Sequence, residues 1–180
     1  MDHRDHVELL RAGVPGPGGI WADLGSGTGA FTLALAELVG PSGAIHSVDR
    51  DAGVLRQQRR ALEATFPGFD VRYHLADFTA PLDLPLLDGL VMANSLHFQR
   101  DRNGVVRRVA RYVRPGGTFI LVEYDADRGN PWVPHPLSFA TWKRVAEGLG
   151  LVDVRLTGRV PSRFLGAIYS AAARTTAGVP

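Results

Sequence analysis

Asp23, Asp49, Asp77 and Asn94 each close a short apolar run, and Gly25, Gly27 and Gly29 alternate directly after the first of them. An ionised carboxylate only accepts hydrogen bonds and has room for several donors. Glycines in such a turn permit positive φ and let a ligand approach the backbone closely. When a helix opens straight afterwards, its free N–H groups and positive dipole end add to the attraction. The combination is a ligand cradle ringed by fixed acceptors. His97 and Tyr124 bring proton chemistry beside it. Imidazole titrates near neutrality and suits a general base. The phenol ends an apolar run, from which its hydroxyl can reach a pocket or its ring can join the core.

Other chemistries are less well supplied. The chain has no cysteine, which excludes disulfides, thiolate metal sites and a cysteine nucleophile. Asp125, Asp127 and Asn130 offer hard oxygen ligands, but position 94 beside them is Asn rather than an acid, so no metal is expected. His3 and His6, with Asp2 and Asp5, read as an exposed terminus, with a metal or a flap over the ligand as alternatives. The sets Arg56, Arg59, Arg60 and Arg107, Arg108, Arg111 read as solvated helix faces. A net charge of +2 is too mild to argue for nucleic acid. The opening residues lack the order of a signal peptide, and no apolar run is long enough for a membrane span. A cytoplasmic location without membrane attachment is the expectation.

The elements that must position these residues follow from the pattern of apolar residues and breakers. The 180 residues favour one domain, divided into an N-terminal helix and loop (1–18), a binding core (19–124) and a last segment (125–180). A helix is predicted over 3–12, then a loop of Pro and Gly. Strands are predicted at 20–24, 44–48, 70–75, 86–92 and 118–124. Helices are predicted at 30–38, 52–66, 105–113 and 139–149, the last capped by Ser138. Two final strands, 151–156 and 165–171, have no helix between them and read as an antiparallel hairpin. Alternating strands and helices imply a single three-layer, Rossmann-like α/β domain with a mostly parallel seven-stranded sheet and a C-terminal antiparallel hairpin. In such sheets ligands bind beyond the carboxyl ends of the strands. Asp23, Asp49, Asp77 and Asn94 all fall on that edge.

Gly25, Gly27 and Ala30 satisfy the dinucleotide pattern G-x-G-x-x-G/A, with Asp49 near the distance for ribose recognition. Against NAD stand the alternation of Gly25, Gly27 and Gly29 directly after Asp23, the lack of a second mononucleotide-binding half, and the final hairpin. Asp23-Leu24-Gly25-Ser26-Gly27-Thr28-Gly29, Asp49, Ala76-Asp77-Phe78, Leu87 to Asn94 and Arg114-Pro115-Gly116-Gly117-Thr118 occur in order along the chain. Together they resemble the class I S-adenosylmethionine-dependent methyltransferases, in particular the small bacterial type related to ubiquinone-pathway C-methyltransferases. The resemblance runs from Ile20 to about Ala173, and the chain leaves little room for a separate cap over the substrate.

The resemblance implies S-adenosylmethionine as cofactor and methyl transfer to a small-molecule acceptor, with positioning as the main source of rate. The backbone N–H groups of Gly25, Gly27 and Gly29, with Ser26 between them, would face the methionine and ribose portion. Asp23 would hold the α-ammonium group, directly or through water. Asp49, followed by Arg50, would accept both ribose hydroxyls. Asp77 would accept from the adenine amino group beside Phe78, and Asn94 would lie near the sulfonium. Each has a plainer reading: Asp23 capping its turn, Asp49 capping the next helix, Asp77 and Phe78 serving turn and core, Asn94 a turn. His97 and Tyr124 are the candidate catalytic groups on the acceptor side. The loop Asn130 to Pro136 is a candidate rim, with Trp132 as its apolar surface. Oxygen, nitrogen and carbon acceptors all stay open. A non-catalytic binding domain and a small NAD-dependent oxidoreductase are the rival readings.

Overall fold

The computed structural model describes residues 1–177. Its order is α1 (His3–Arg11), β1 (Gly19–Leu24), α2 (Ala30–Val39), β2 (Gly43–Asp49), α3 (Ala52–Thr65), β3 (Asp70–Leu75), β4 (Leu87–Ala93), α4 (Arg102–Ala110), β5 (Val113–Tyr124), α5 (Phe139–Gly148), β6 (Val152–Ser162) and β7 (Gly166–Arg174). One seven-stranded sheet runs β3-β2-β1-β4-β5-β7-β6. The first five strands pair in parallel, and β7 is antiparallel to both β5 and β6. This is the expected three-layer α/β architecture with its terminal hairpin.

The two faces of each central strand feed different cores, because strand side chains alternate. Trp21, Ile45, Val91 and Ile120 pack with Leu9, Leu10, Phe31, Leu35 and Leu62 of α1, α2 and α3. Leu24, Leu90, Met92, Phe119 and Leu121 pack with Val106, Val109, Trp142 and Ala146 of α4 and α5. Burial on both faces explains why β1, β4 and β5 read as near-continuous apolar runs. The strand order reverses between β1 and β4, so their carboxyl ends diverge and leave a crevice.

Differences from the sequence expectation sit at the boundaries. The predicted helix 105–113 runs from Arg102 to Ala110, started by Asp101, whose side chain accepts from Gly104 N–H. Val113 already belongs to β5, and Arg114 to Gly117 forms an irregularity within that strand, where the pairing with β4 shifts register. β6 runs on to Ser162 and β7 runs from Gly166 to Arg174, leaving only 163–165 as the hairpin tip. The added part of β6, from Thr157 to Ser162, carries polar residues on the outer edge of the sheet, which weakens the sequence signal for a strand. A short 3₁₀ turn, Leu96–Phe98, was not foreseen. Ser138 caps α5 as expected, accepting from Thr141 N–H at 3.2 Å. The N-terminus forms a true helix with a capping box between Asp2 and Asp5. There His3 pairs with Glu37 at 2.8 Å and the His6 ring lies on Phe31. Arg56, Arg59, Arg60, Arg107, Arg108 and Arg111 are exposed, and Arg59 stacks over the Tyr73 ring at 4.7 Å.

Candidate cofactor site

A cavity of about 530 Å³ opens in the crevice between the carboxyl ends of β1 and β4. Gly25, Gly27, Asp49, Arg50, Asp77, Phe78 and Asn94 line it together, drawn from the ends of four strands. Its size suits one cofactor-sized organic ligand. Ala76, Ser95, Phe98 and Gln99 complete the wall. Sequence reasoning did not place these four as binding residues. For Ser95, Phe98 and Gln99 the available signal was position, since all follow the end of β4 within a few residues.

The glycine turn works differently from the expectation. Gly25 N–H donates to Val48 C=O at 2.9 Å, Gly27 N–H to Asp49 Oδ2 at 2.8 Å, and Gly29 N–H to Ser26 C=O at 3.0 Å. These donors are therefore spent within the protein and are not free for a ligand. What the turn offers instead is shape and acceptors. The carbonyls of Gly25 and Gly27 accept from no group among the described residues. A Cβ on Gly25 would stand 2.6 Å from Ser95 Cβ, whereas a Cβ on Gly27 would meet nothing within 4 Å and would point into open space. Gly29 does not line the cavity; a Cβ there would collide with Gln58 of α3.

Asp23 and Ser26 also stand behind the turn. Asp23 is buried and absent from the cavity wall; its Oδ2 accepts from Thr32 Oγ1 at 2.6 Å while Oδ1 has no partner. Gln58 donates to Thr32 Oγ1 and accepts from Ser47 Oγ at 2.9 Å, and Ser47 Oγ in turn accepts from Ser26 Oγ at 2.8 Å. This buried polar chain ties β1, β2, α2 and α3 together under the glycine turn. Burial pushes the Asp23 carboxyl up to about 7 against the opposing Thr32 hydrogen bond, and the Asp49 charge adds to the rise.

That shift has a consequence for stability. Because the folded value exceeds the ordinary 3.8, the fold favours the neutral acid. The associated stability is complete below about pH 4 and is lost as pH rises toward about 7. Asp23→Asn, neutral throughout, is expected to melt about 5 °C higher than the wild type at pH 8, on the order of 2 kcal/mol, with the gap closing toward pH 5. Thermal unfolding without ligand at both pH values checks this. A pH-independent difference contradicts it.

Asp49 keeps capacity to spare. Oδ2 takes Gly27 N–H and Oδ1 takes Asp51 N–H at 2.9 Å, which leaves further lone pairs facing the cavity. It is not the helix cap: Asp51 caps α3, accepting from Gly53 and Val54 N–H. Asp77 accepts from Thr79 N–H and Oγ1 through Oδ1 alone. Those two bonds from Thr79 hold its carboxyl below the usual range, with Arg50 helping. Asn94 is a non-glycine residue at φ 51, and its buried Oδ1 has no partner. Asn adopts this left-handed backbone more readily than most residues, and its orphaned acceptor stands beside the cavity.

The candidate catalytic residues do not line this cavity. His97 is buried, with Nδ1 2.9 Å from Glu123 Oε1. Tyr124 is half-buried with its ring 5.7 Å from that of His97. Burial, with the Glu123 charge, raises the Tyr124 phenol above its usual value. The carboxylates that follow β5 are engaged within the protein: Asp125 accepts from Phe139 N–H and pairs with Arg159, and Asp127 accepts from Ser138. Asn130 Oδ1 accepts from Trp132 and Val133 N–H, which stiffens the loop and leaves Trp132 71% exposed. Among the described residues no helix is long and apolar enough to cross a membrane.

The chain is similar to known proteins in sequence and in fold. A family profile described as "Methyltransferase domain" matches residues 22–117. The ubiquinone/menaquinone biosynthesis C-methyltransferase UbiE of Pasteurella multocida is 31% identical over 104 residues, which are 57% of this chain and 39% of that protein. A probable cobalt-precorrin-6B C(15)-methyltransferase (decarboxylating) of Thermoplasma volcanium is 35% identical over 115 residues, 64% of this chain and 55% of that one. The chain thus matches well under two thirds of the length of these curated relatives. In structure it is similar to the YcgJ protein of Bacillus subtilis, with a TM-score of 0.79 and 14% identity over 98% of this chain and 100% of that one. The profile match covers more than half of the chain, the sequence relatives are methyltransferases, and the fold agrees with a solved structure. On this evidence the chain belongs to the methyltransferase-domain family, the class I S-adenosylmethionine-dependent methyltransferases.

Proposed function

We propose that the protein transfers the methyl group of S-adenosylmethionine to a small-molecule acceptor. The observation that carries this is the single cavity at the β1/β4 crevice, walled by Gly25, Gly27, Asp49, Asp77, Phe78 and Asn94. The residues present fit the cofactor: the space in front of Gly27 is open, Asp49 has unused acceptor capacity, and Asn94 Oδ1 lacks a partner. Asp49 takes the ribose hydroxyls, whose two donors match an acceptor-only carboxylate. Asp77 receives the adenine amino group on Oδ2, with Phe78 packing against the ring and Arg50 at the rim. The Gly25 and Gly27 carbonyls face the α-ammonium group, with Asp23 Oδ1 behind them as a second acceptor through water. Ser26 and Gly29 act indirectly, by holding the turn on Gln58. Asn94 Oδ1 faces the sulfonium end.

When bound, S-adenosylmethionine supplies a methyl group that its positive sulfur already makes electrophilic. The chain's task is then to hold an acceptor in line and keep water out. A stiff loop with an exposed Trp132, and Phe98 on the cavity wall, supply apolar surface on the acceptor side. The relatives' names include C-methyltransferases and an arsenite methyltransferase, so their acceptors vary in kind.

The test is incubation with methyl-labelled S-adenosylmethionine and a small-molecule extract, followed by separation of organic-soluble, protein and RNA fractions. Label in the small-molecule fraction is expected. Label confined to protein or RNA contradicts the acceptor class.

A further inference from the structure

The chain treats the two edges of its sheet differently. β6, at one edge, is shielded. Its register with β7 shifts at two places, and it contains Pro161. The N-terminal helix lies against it: a Cβ on Gly158 would stand 3.5 Å from Leu9 Cα, and Arg155 donates to Ala12 C=O at 3.2 Å. Bulges, proline and a covering helix are the devices that keep an edge strand from pairing. β3, at the other edge, has none of them. Its six residues pair with β2 without a shift and include no proline. Ala76 N–H donates to Asp49 C=O, so by alternation the backbone groups of Asp70, Arg72 and His74 turn toward β2. Those of Val71, Tyr73 and Leu75 turn outward, where no strand among the described residues meets them.

The side chains along this edge carry opposite charges on either side of Tyr73. On the α3 face, a hollow of about 410 Å³ lies toward Val71 and includes Glu63, and one of about 200 Å³ lies toward Leu75 and includes Arg56. Arg59 stands between them on the Tyr73 ring, 4.7 Å from its centre. Leu75 is 63% exposed. On the other face, Arg72 is exposed and lies 3.5 Å from Asp70, and His74 is bonded to His46 at 2.9 Å. Burial and the Arg72 charge hold His74 below its usual value, against the pull of Asp83.

We propose that β3 pairs antiparallel with β3 of a second copy of this chain, about a two-fold axis at Tyr73, so that two sheets continue as one. A two-fold contact is self-complementary and brings each end of the strand to the opposite end of its mate. In this register Tyr73 faces Tyr73, and Val71 of each copy faces the exposed Leu75 of the other. Glu63 of each copy is carried to Arg56 of the other, at both ends of the contact. On the other face Arg72 comes opposite the neutral His74 of the second copy and close to its Asp83. The two Arg59 side chains approach each other over the Tyr73 rings, whose faces attract them. Moving the axis to Arg72 sets Arg72 against Arg72, and moving it to His74 leaves Val71 without an apolar mate. Cross-strand apolar and opposite-charge pairs therefore favour the axis at Tyr73. The proposal is independent of the cofactor reading.

The experiment is sedimentation velocity of the full chain from ~1 to ~100 µM, where a dimer that forms with concentration is expected. Arg56→Glu and Glu63→Arg are each expected to weaken it at least about tenfold, because both symmetric pairs become like charges. The double variant restores the pairs with their signs exchanged and is expected to dimerise within about threefold of the wild type. Both side chains are exposed, so neither change touches the core. Oxidative cross-linking reads the register, with no native cysteine to interfere. Tyr73→Cys is expected to form a disulfide-linked dimer, since facing Cα atoms in such a pair stand about 5.5 Å apart. Leu75→Cys, although at a more exposed position, is expected not to, because its two copies lie ~13 Å apart along the strands. If Tyr73→Cys does not fold, the charge exchange decides alone. A chain that stays monomeric, a dimer that the single reversals leave intact, or a double variant as weak as the singles overturns the proposal. Cross-linking of Leu75→Cys in preference to Tyr73→Cys overturns it as well.

Discussion

Asp49→Ala is expected to weaken binding of S-adenosylhomocysteine about 100-fold. The carboxylate offers the two ribose hydroxyls charged acceptors, and a hydrogen bond to a charged group contributes ~1.5–3 kcal/mol. Two such bonds, allowing for water that replaces them, come to ~3 kcal/mol, or about two decades in affinity. The substitution also strands Gly27 N–H, which donates to Oδ2 at 2.8 Å and holds the turn against β2. Asp49→Asn separates the two contributions. Its amide oxygen keeps an acceptor for Gly27 but loses the charge, so a loss of about tenfold is expected. Isothermal titration of each variant, with melting curves to confirm folding, gives the comparison. Affinity within twofold of the wild type in Asp49→Ala would remove the ribose role from this residue.

Gly27→Ala and Gly25→Ala are expected to fail in different ways. Both positions have positive φ, +54 and +77, so each alanine carries backbone strain of ~1 kcal/mol. At Gly25 the added methyl would also stand 2.6 Å from Ser95 Cβ and 3.1 Å from the Phe78 ring. Overpacking of that kind costs ~1–3 kcal/mol, so Gly25→Ala is expected to melt clearly lower as well as to bind poorly. At Gly27 the methyl meets no protein atom and takes space from the cavity instead. Gly27→Ala is expected to stay folded, with at most a few degrees lost, yet to bind S-adenosylhomocysteine at least about tenfold more weakly. A Gly27→Ala protein that binds normally would mean that the ligand does not lie against the turn.

The order of elements was legible because the central buried strands of this sheet announce themselves as apolar runs and most of the breaks between elements carry Pro, Gly or Asp. Leu90 to Ala93 and Phe119 to Val122 are of this kind. The edge strand β6 was harder: it alternates with arginine and threonine on an open face, and its register with β7 shifts at two places, so its end could not be read. At the site, strand ends predicted which side chains meet, and Asp49, Asp77, Phe78 and Asn94 do line one cavity. Direction could not be read in the same way. Asp23 lies at a strand end too, but its side chain turns under the glycine loop toward Thr32. The glycine N–H groups, expected to be free, close the turn onto Val48, Asp49 and Ser26, a pairing that depends on neighbours distant in sequence. Glu123 lay hidden inside a strongly apolar strand, and only the fold shows that its partner is His97, 26 residues earlier.

The most direct test of the central claim is calorimetric titration of the folded wild-type protein with S-adenosylmethionine and S-adenosylhomocysteine, with NAD as the control ligand. Micromolar, one-to-one binding of both adenosyl ligands and none of NAD is the expected result. A folded protein that binds neither adenosyl ligand, or that binds NAD in their place, would contradict the assignment of the cavity and the function built on it.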